Sequence, residues 1–180
     1  MQTSSPATDL WDELAGAAER ESPLWAEALR PPGERELEPV FSPLCEGRFA
    51  LAVETIYEGY LVHYGRPRLF APADANTTLL LGDYLYAHGL VRLAELGSVE
   101  PVDDLAELIS LCAQLRGNGT RGDGAAWAAT AVLLGRGALA AARAALRDSG
   151  DPEPLAALAR SAAGAQAVER SLVAHARRLG

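Results

Sequence analysis

The sequence predicts an all-α protein. Ala and Leu dominate its hydrophobic residues, which make up 49% of the 180 positions, and β-branched residues are sparse. Ala and Leu favour helices because they lose little side-chain freedom there. Apolar residues recur at spacings of three and four, as on one face of a helix, and no strand-like alternation interrupts them. The length suits one hydrophobic core, so residues 1–180 are predicted to form a single domain.

The starts and ends of the helices follow from capping residues, proline and glycine. The predicted helices span 9–18, 22–29, 48–64, 74–96, 101–116, 125–147 and 152–179. Asp9 and Ser22 are suited to cap the first two helices, and Pro101 is suited to open the fifth. Residues 1–8 are small and polar and are expected to be frayed. The glycine-rich stretch 117–124 is expected to be a flexible loop.

The helix predicted at 74–96 is the most informative segment. On a helical wheel one arc holds Leu80, Tyr84, Ala87, Leu90, Val91 and Ala94, and much of the other holds Gly82, Leu85, Tyr86, Gly89 and Leu93. We therefore expect protein to surround this helix on most sides, whereas the helix at 48–64 is predicted to have one wide apolar face. Gly82 and Gly89 would let another helix approach closely. Asp83 lies in the first arc, where a carboxylate needs a cationic or hydrogen-bonding partner.

Composition limits the partners and the compartment. The formal net charge is −8, so no global basic field attracts nucleic acid or anionic lipid. The N-terminus has neither the basic nor the apolar region of a signal peptide, and no apolar run is long enough to cross a bilayer. A soluble, cytoplasmic protein is expected. Cys45 and Cys112 lack metal-ligand spacing and are interpreted as buried thiols.

Several strings, in the same order along the chain, resemble those of the trans-isoprenyl (polyprenyl) diphosphate synthases. They are AVETI at 52–56, LVH at 61–63, LLGDYLYA at 80–87 and LAELG at 93–97. In that family the Gly-Asp string opens a long helix near the subunit interface. The resemblance covers roughly residues 33–115 and implies a truncated isoprenoid-synthase-like helical bundle.

The resemblance also implies that the ligands for pyrophosphate and magnesium are missing. Where the family continues from Leu-Ile-His into its first aspartate-rich motif, this chain reads Tyr64-Gly65, as if the loop were deleted. Glu34 and Glu38 stand where the family has cations that hold isopentenyl diphosphate. The string at 165–172 retains one acid of the second aspartate motif. No catalytic or metal-binding residue is therefore expected on this chain, and magnesium is expected on a catalytic partner.

Three other patterns were weighed as sites. The acids at 103–107 have a spacing that suits magnesium, but they follow a helix start, where the helix dipole favours acids for structural reasons. The stretch 117–124 lacks the Gly-Lys-Ser/Thr ending of a phosphate-binding loop. His63, His88 and His175 show no ligand spacing, so core or capping roles are favoured for them.

The resemblance implies the function of a non-catalytic small subunit in a heterodimeric polyprenyl diphosphate synthase, similar to the small components of hexaprenyl and heptaprenyl diphosphate synthases. Such a subunit completes the hydrophobic prenyl tunnel and influences product chain length, here for quinone side chains such as that of menaquinone. The tunnel candidates are Tyr57, Tyr60 and Tyr64, for which ordinary core packing is an equal alternative. The interface candidates are Gly82, Asp83, Tyr86, Gly89 and Leu93.

Two other functions stay open at the level of the sequence. One is a homodimer that binds an isoprenoid or another lipid as a carrier or regulator, without catalysis. The other is an independent enzyme that uses Asp83 or the acids at 103–107. A copurifying synthase subunit would favour the small-subunit interpretation, and turnover of geranyl or farnesyl diphosphate by the chain alone would favour the enzyme.

Overall fold

The computed structural model describes residues 6–179 of the chain, with side chains from Leu10 onward. Its helices are α1 (Pro6–Glu21), α2 (Pro23–Ala28), α3 (Ala50–Tyr64), α4 (Ala75–Ala94), α5 (Glu100–Gly117), α6 (Asp123–Leu133), α7 (Ala140–Ser149), α8 (Glu153–Ala163) and α9 (Ala165–Leu179). Short 3₁₀ turns lie at Pro32–Glu34, Ser42–Leu44 and Gly47–Phe49. Over residues 6–179 the only β feature is one bridge between Leu29 and Phe70. The all-α prediction is confirmed.

Helix α3 lies at the centre of the molecule. All its residues from Ala52 to Val62 are buried, so it is covered on every side and not on one wide face as predicted. It packs most extensively on α4, joins α1 and α2 in one apolar cluster, and joins α5, α6, α7 and α8 in another. The prediction was wrong because the polar side of α3, with Glu54 and Glu58, is also covered by protein.

A buried ion-pair network explains how that polar side of α3 is covered. Arg68 is completely buried, and its guanidinium donates to Glu54 Oε2 at 2.6 Å and to Glu58 Oε2 at 2.9 Å. Glu54 Oε1 accepts from two backbone N–H groups of segment 38–42, at 2.9 and 3.1 Å. Glu58 Oε1 accepts from two backbone N–H groups of segment 66–70, both at 2.7 Å. The network thereby fixes both segments to α3.

The N-terminal helices follow the capping rules in part. Ser22 caps α2 as predicted, because its Oγ accepts from the Leu24 N–H at 3.1 Å. Asp74 caps α4 through the Thr77 N–H at 2.9 Å. Helix α1 begins before Asp9, so the predicted cap is wrong, and residues 6–8 are helical where fraying was expected. The other residues of the predicted frayed segment lie outside the described range.

The two helices predicted at 125–147 and 152–179 are each broken in two. Gly135 and Gly137 have positive φ of 76° and 65° between α6 and α7, and Gly164 has φ 85° between α8 and α9. A left-handed residue ends a helix, and glycine adopts that conformation without strain. The predicted loop 117–124 is also shorter than expected, because Gly117 ends α5 and α6 begins at Asp123.

Both cysteines are free; Cys112 is buried as predicted, whereas Cys45 is only half-buried. Burial raises the pKa of the Cys45 thiol to about 12, with the charge of Glu54 adding to the effect. Within residues 6–179 no helix is long and apolar enough to cross a membrane.

Candidate functional site

Helices α3 and α4 meet along a seam of glycines. A Cβ at Gly82 would overlap the His63 ring, and a Cβ at Gly89 would overlap Ile56. Gly59 on α3 faces the same seam, where its Cβ would lie 3.0 Å from the Gly82 carbonyl oxygen. The predicted close approach at Gly82 and Gly89 is confirmed. The helix that approaches is α3 of the same chain.

Most of the residues predicted to form a subunit interface lie inside this seam. Gly82, Gly89 and Leu93 are buried, and Tyr86 is half-buried. In the described chain α3 covers this flank of α4, so these four residues make a contact within the chain, and their assignment to a subunit interface stays a prediction. Asp83 differs from them, since its side chain is 65% exposed.

The opposite side of α4 is an exposed apolar surface, which we name the α4 face. It consists of Leu79, Leu80, Ala87, Leu90, Val91 and Ala94. Leu80 and Val91 are each 55% exposed, whereas Leu90 is half-buried. Leu96 and Val99, which lie past the end of the helix, are also exposed. The prediction that protein surrounds α4 on most sides is therefore wrong for this arc of the isolated chain.

Asp83 lies within this exposed arc of α4 and pairs with a histidine of α3. His63 Nε2 lies 3.2 Å from Asp83 Oδ1, which supplies the hydrogen-bonding partner that the sequence predicted. Burial lowers the pKa of His63, although the charge of Asp83 opposes that shift. His63 is therefore neutral at neutral pH, and the pair carries the single negative charge of Asp83.

The three tyrosines predicted to line a prenyl tunnel occupy different environments. Tyr57 and Tyr60 are completely buried, and their rings stack with centroids 6.0 Å apart. Both also meet the Trp127 ring edge-on, at centroid distances of 5.1 and 5.6 Å. Core packing thus accounts for these two residues. Tyr64 is half-buried, and its ring lies 5.2 Å from that of Tyr60.

The hydroxyl groups of the buried tyrosines enter a polar cluster that joins four helices. Tyr57 Oη lies 2.9 Å from His175 Nδ1, and His175 Nε2 lies 3.6 Å from the Asp123 carboxylate. Tyr60 Oη donates to the same carboxylate, and Arg116 donates to both Asp123 and Tyr60. The cluster therefore connects α3, α5, α9 and the first residue of α6.

Electrostatics in this cluster favour a charged Asp123 and neutral tyrosines. Burial raises the pKa of Asp123, but the proximity of His175, the hydrogen bond from Tyr60 and the charge of Arg116 outweigh burial and hold that pKa below its usual range. Burial raises the pKa of Tyr57, and burial together with Asp123 raises that of Tyr60. The cluster is a stabilising contact between helices.

Sequence reasoning missed this cluster. Asp123 was interpreted as part of a flexible loop, and His175 as one of three dispersed histidines. Tyr57 and His175, which contact each other in this cluster, are 118 positions apart in the sequence. The one local signal was Asp123 at a helix start, where an acid is favoured by the dipole.

Two of the three acids at 103–107, Asp104 and Glu107, are engaged in ion pairs. Arg143 on α7 donates to Asp104 Oδ1 at 3.0 Å and to Glu107 Oε2 at 2.7 Å. Asp104 Oδ2 also accepts from the Gly135 N–H at 2.8 Å. These contacts attach α7 and the turn before it to α5. In the part of the chain from residue 6 to 179, no group of three or more His, Cys, Asp or Glu residues is arranged to hold a metal ion.

An apolar groove lies between α7 and α8. It has a volume of about 710 Å³ and is open to solvent. Its lining consists of Ala138, Ala141, Ala142, Pro154, Ala157, Leu158 and Ser161. The small side chains make it shallow and almost uniformly apolar, which suits an apolar ligand better than a charged one.

Comparison of the chain with protein-family models, with curated proteins and with solved structures finds no match. The fold and the surface alone therefore define its class. It is an all-α protein whose central helix is fully covered and whose neighbouring helix, α4, exposes an apolar face.

Proposed function

We propose that this chain is a non-catalytic small subunit of a heterodimeric polyprenyl diphosphate synthase and that it binds the catalytic subunit through the α4 face. The observation that carries the proposal is the exposure of that face. At 1.5 Å per residue, the stretch from Leu79 to Ala94 is about 22 Å long, enough for a helix to lie along it. Contiguous exposed apolar surfaces of this kind mark interaction sites in soluble proteins.

The resemblance of the sequence to polyprenyl diphosphate synthases supplies the kind of partner. The string LLGDYLYA, which carries much of that resemblance, forms the first half of the α4 face and the seam behind it. The carboxylates of Asp104 and Glu107 hold Arg143, so their role here is structural. Under this proposal magnesium is bound by the catalytic partner, which carries the aspartate-rich motifs, and the complex makes the side chain of a quinone such as menaquinone.

Tyr64 is the remaining tunnel candidate of the three tyrosines. Its half-buried ring lies near Arg116, with 6.0 Å between the guanidinium carbon and the ring centre. A growing prenyl chain would reach this edge of α3 only if the partner completes the tunnel. A change at Tyr64 would then alter the distribution of product lengths without preventing assembly.

Co-expression with a full-length polyprenyl diphosphate synthase from the same organism tests the proposal. We expect the two chains to copurify and the complex to make a prenyl product of different length from that of the synthase alone. Val91→Glu should weaken the complex by roughly 30- to 150-fold, since about 2 to 3 kcal/mol of apolar burial is lost. Val173→Glu on α9 is the matched control, because Val173 is 40% exposed and lies outside the α4 face.

Two results would contradict the proposal. One is the absence of any complex together with an unchanged product length. The other is a complex that Val91→Glu and Val173→Glu weaken equally, since then the α4 face would have no special part in assembly. Urea unfolding of both variants, with midpoints equal to that of the wild type, establishes that any loss of binding does not come from loss of folding.

The groove between α7 and α8 favours a second candidate function, that of a homodimeric isoprenoid- or lipid-binding carrier. Its apolar lining suits a prenyl chain, and its volume of about 710 Å³ is in the range of small-molecule sites. Native mass spectrometry of the chain with a C20 prenyl alcohol tests this function. A bound adduct that Ala157→Phe abolishes would support it, and the absence of any adduct would refute it.

A further inference from the structure

Asp83 is the one charged residue among those that share the exposed arc of α4. On the helical wheel it falls between Leu90 and Ala94, near the middle of the α4 face. Its side chain is 65% exposed, so water now solvates much of the carboxylate. Any partner that covers the α4 face must remove that water.

A covered Asp83 needs a cation. Removing a carboxylate from water is strongly unfavourable unless it gains an opposite charge and hydrogen bonds. His63 contributes one contact at 3.2 Å, but burial keeps this histidine neutral at neutral pH. The contact therefore orients the carboxylate without cancelling its charge.

The chain itself supplies no free base on this helix. Arg92 is the only arginine or lysine of α4. Its guanidinium donates to Glu13 Oε1 at 3.1 Å and to His88 Nε2 at 2.9 Å, which ties it to the edge of α4 next to α1. The cation for Asp83 must come from the molecule that binds the face.

A second copy of the chain does not supply this cation when two α4 faces pair through their centres. In a two-fold pairing of antiparallel α4 helices centred on Ala87, position 83 of one copy lies opposite position 91 of the other, which is Val91. A pairing centred on Asp83 itself would place the two carboxylates together, which is repulsive. A different chain fits the face better than a copy of this one.

We infer that the partner surface is a helix with an apolar stripe and one arginine or lysine placed to pair with Asp83. This inference rests on the proposed function, because it assumes that a catalytic subunit covers the α4 face. The apolar residues of the face supply contact area, and the single charge pair fixes the register and rejects other helices. Arginine suits the position well because its planar group can bind a carboxylate through two hydrogen bonds.

The direction in which Asp83→Asn changes the binding affinity distinguishes this inference from apolar docking without a charge pair. Asp83→Asn keeps the shape of the side chain and removes its charge. If the partner presents a cation, the substitution leaves that cation unpaired, and the affinity should fall about 30-fold or more. If the partner presents only apolar groups, Asp83→Asn lowers the desolvation penalty, and the affinity should stay the same or rise.

The experiment uses the catalytic synthase subunit that copurifies with the wild-type chain, and it measures dissociation constants by calorimetry for the wild type, Asp83→Asn, Asp83→Lys and Val91→Glu. We expect weaker binding in all three variants, with Asp83→Lys weaker than Asp83→Asn. Reversal of one arginine or lysine on the partner to glutamate should then restore binding of Asp83→Lys. Unchanged urea midpoints of the exposed-site variants exclude a folding defect.

Each contrary result has a separate meaning. If the wild type forms no complex, the proposed function fails, and the inference fails with it. If Val91→Glu weakens the complex but Asp83→Asn does not, the α4 face binds the partner and only the inferred cation is refuted. If the purified chain forms a dimer that Val91→Glu disrupts, a second copy occupies the face and the inference is overturned. If acidification strengthens the complex and His63→Gln removes that effect, protonated His63 supplies the cation and the inference is again overturned.

Discussion

Replacing Arg68 by methionine tests the buried network that fixes two segments of the chain to α3. Arg68, Glu54 and Glu58 are all completely buried. The guanidinium binds both carboxylates and also donates to the Glu38 carbonyl oxygen at 3.1 Å. Burial lowers the pKa of Arg68, but the charges of the two glutamates outweigh burial and raise it. Arg68 is therefore charged in the folded protein, and its loss leaves two buried carboxylates without a cation.

The loss of stability expected for Arg68→Met depends on the hydrogen bonds that Glu54 and Glu58 keep. Removing one partner of a buried ion pair costs about 3–5 kcal/mol. Each carboxylate keeps its two backbone donors, so we expect Arg68→Met to fall near the middle of that range, at about 4 kcal/mol. With a urea m-value of about 2 kcal/mol/M, the midpoint of unfolding should fall by about 2 M. Arg66→Met is the control, because Arg66 is exposed and its guanidinium donates to the Arg177 carbonyl oxygen at 3.1 Å; a surface change of this kind should stay within about 0.5 kcal/mol.

A triple variant separates the charge from the packing. Combining Arg68→Met with Glu54→Gln and Glu58→Gln removes all three charges together, so most of the lost stability should return. The reasoning would be refuted if Arg68→Met shifted the midpoint no more than Arg66→Met, or if the triple variant were less stable than Arg68→Met alone. The first result would mean that the carboxylates find other compensation. The second would mean that the shape of the network and not its charge sets its contribution.

Two further predictions concern the Asp123 cluster and the glycine seam. Since the pKa of Asp123 is held below its usual range, its stabilising effect is present above the unfolded-state pKa of about 3.9 and is lost as the pH falls below that value. The urea midpoint should therefore fall less between pH 7 and pH 3 for Asp123→Asn than for the wild type, although the variant is less stable by about 1–3 kcal/mol at pH 7. An equal fall in the two proteins would contradict this. Gly89→Ala should lower the free energy of unfolding by about 1–3 kcal/mol, because the new methyl group overlaps Ile56. Gly117→Ala is the control, because nothing lies within 4 Å of the new Cβ, and it should be neutral or slightly stabilising. If Gly89→Ala and Gly117→Ala had similar effects on thermal unfolding, the close approach at the seam would be refuted.

The sequence predicted those features that depend on neighbouring positions. The helices themselves, the Ser22 cap and the close approach at Gly82 and Gly89 all follow from local spacing and from the cost of glycine in a helix. The breaks at Gly135 and Gly164 were missed because both glycines stand in alanine-rich runs, where periodicity continues across them. A glycine inside such a run is compatible with a continuous helix and with a break, and only the packing of the flanking segments decides between the two.

The candidate site could be predicted only in part, for a different reason. The pairing of Tyr57 with His175 joins positions 118 apart. The burial of Arg68 depends on two separate segments, 38–42 and 66–70, that fold onto α3. Residues brought together by the path of the chain leave no signal in spacing. The spacing of the tyrosines at 57 and 60 therefore suits a tunnel as well as a core, and in the structure both rings are completely buried.

The residue pattern of α4 predicts protein on two arcs, and the structure covers only one of them; that contrast supports the proposed interface. Apolar residues on two arcs predicted protein on most sides of the helix. The arc with Gly82 and Gly89 is covered by α3, as the pattern required. The arc with Leu80 and Val91 is apolar apart from Asp83 and is exposed. Because one sequence pattern produced both arcs, and the first is covered inside the chain, the exposed second arc is the surface for which we propose a partner outside it. Asp83 then limits what that partner is, since an apolar helix without a cation would bury the charge of Asp83 at a cost that its apolar contacts would have to offset.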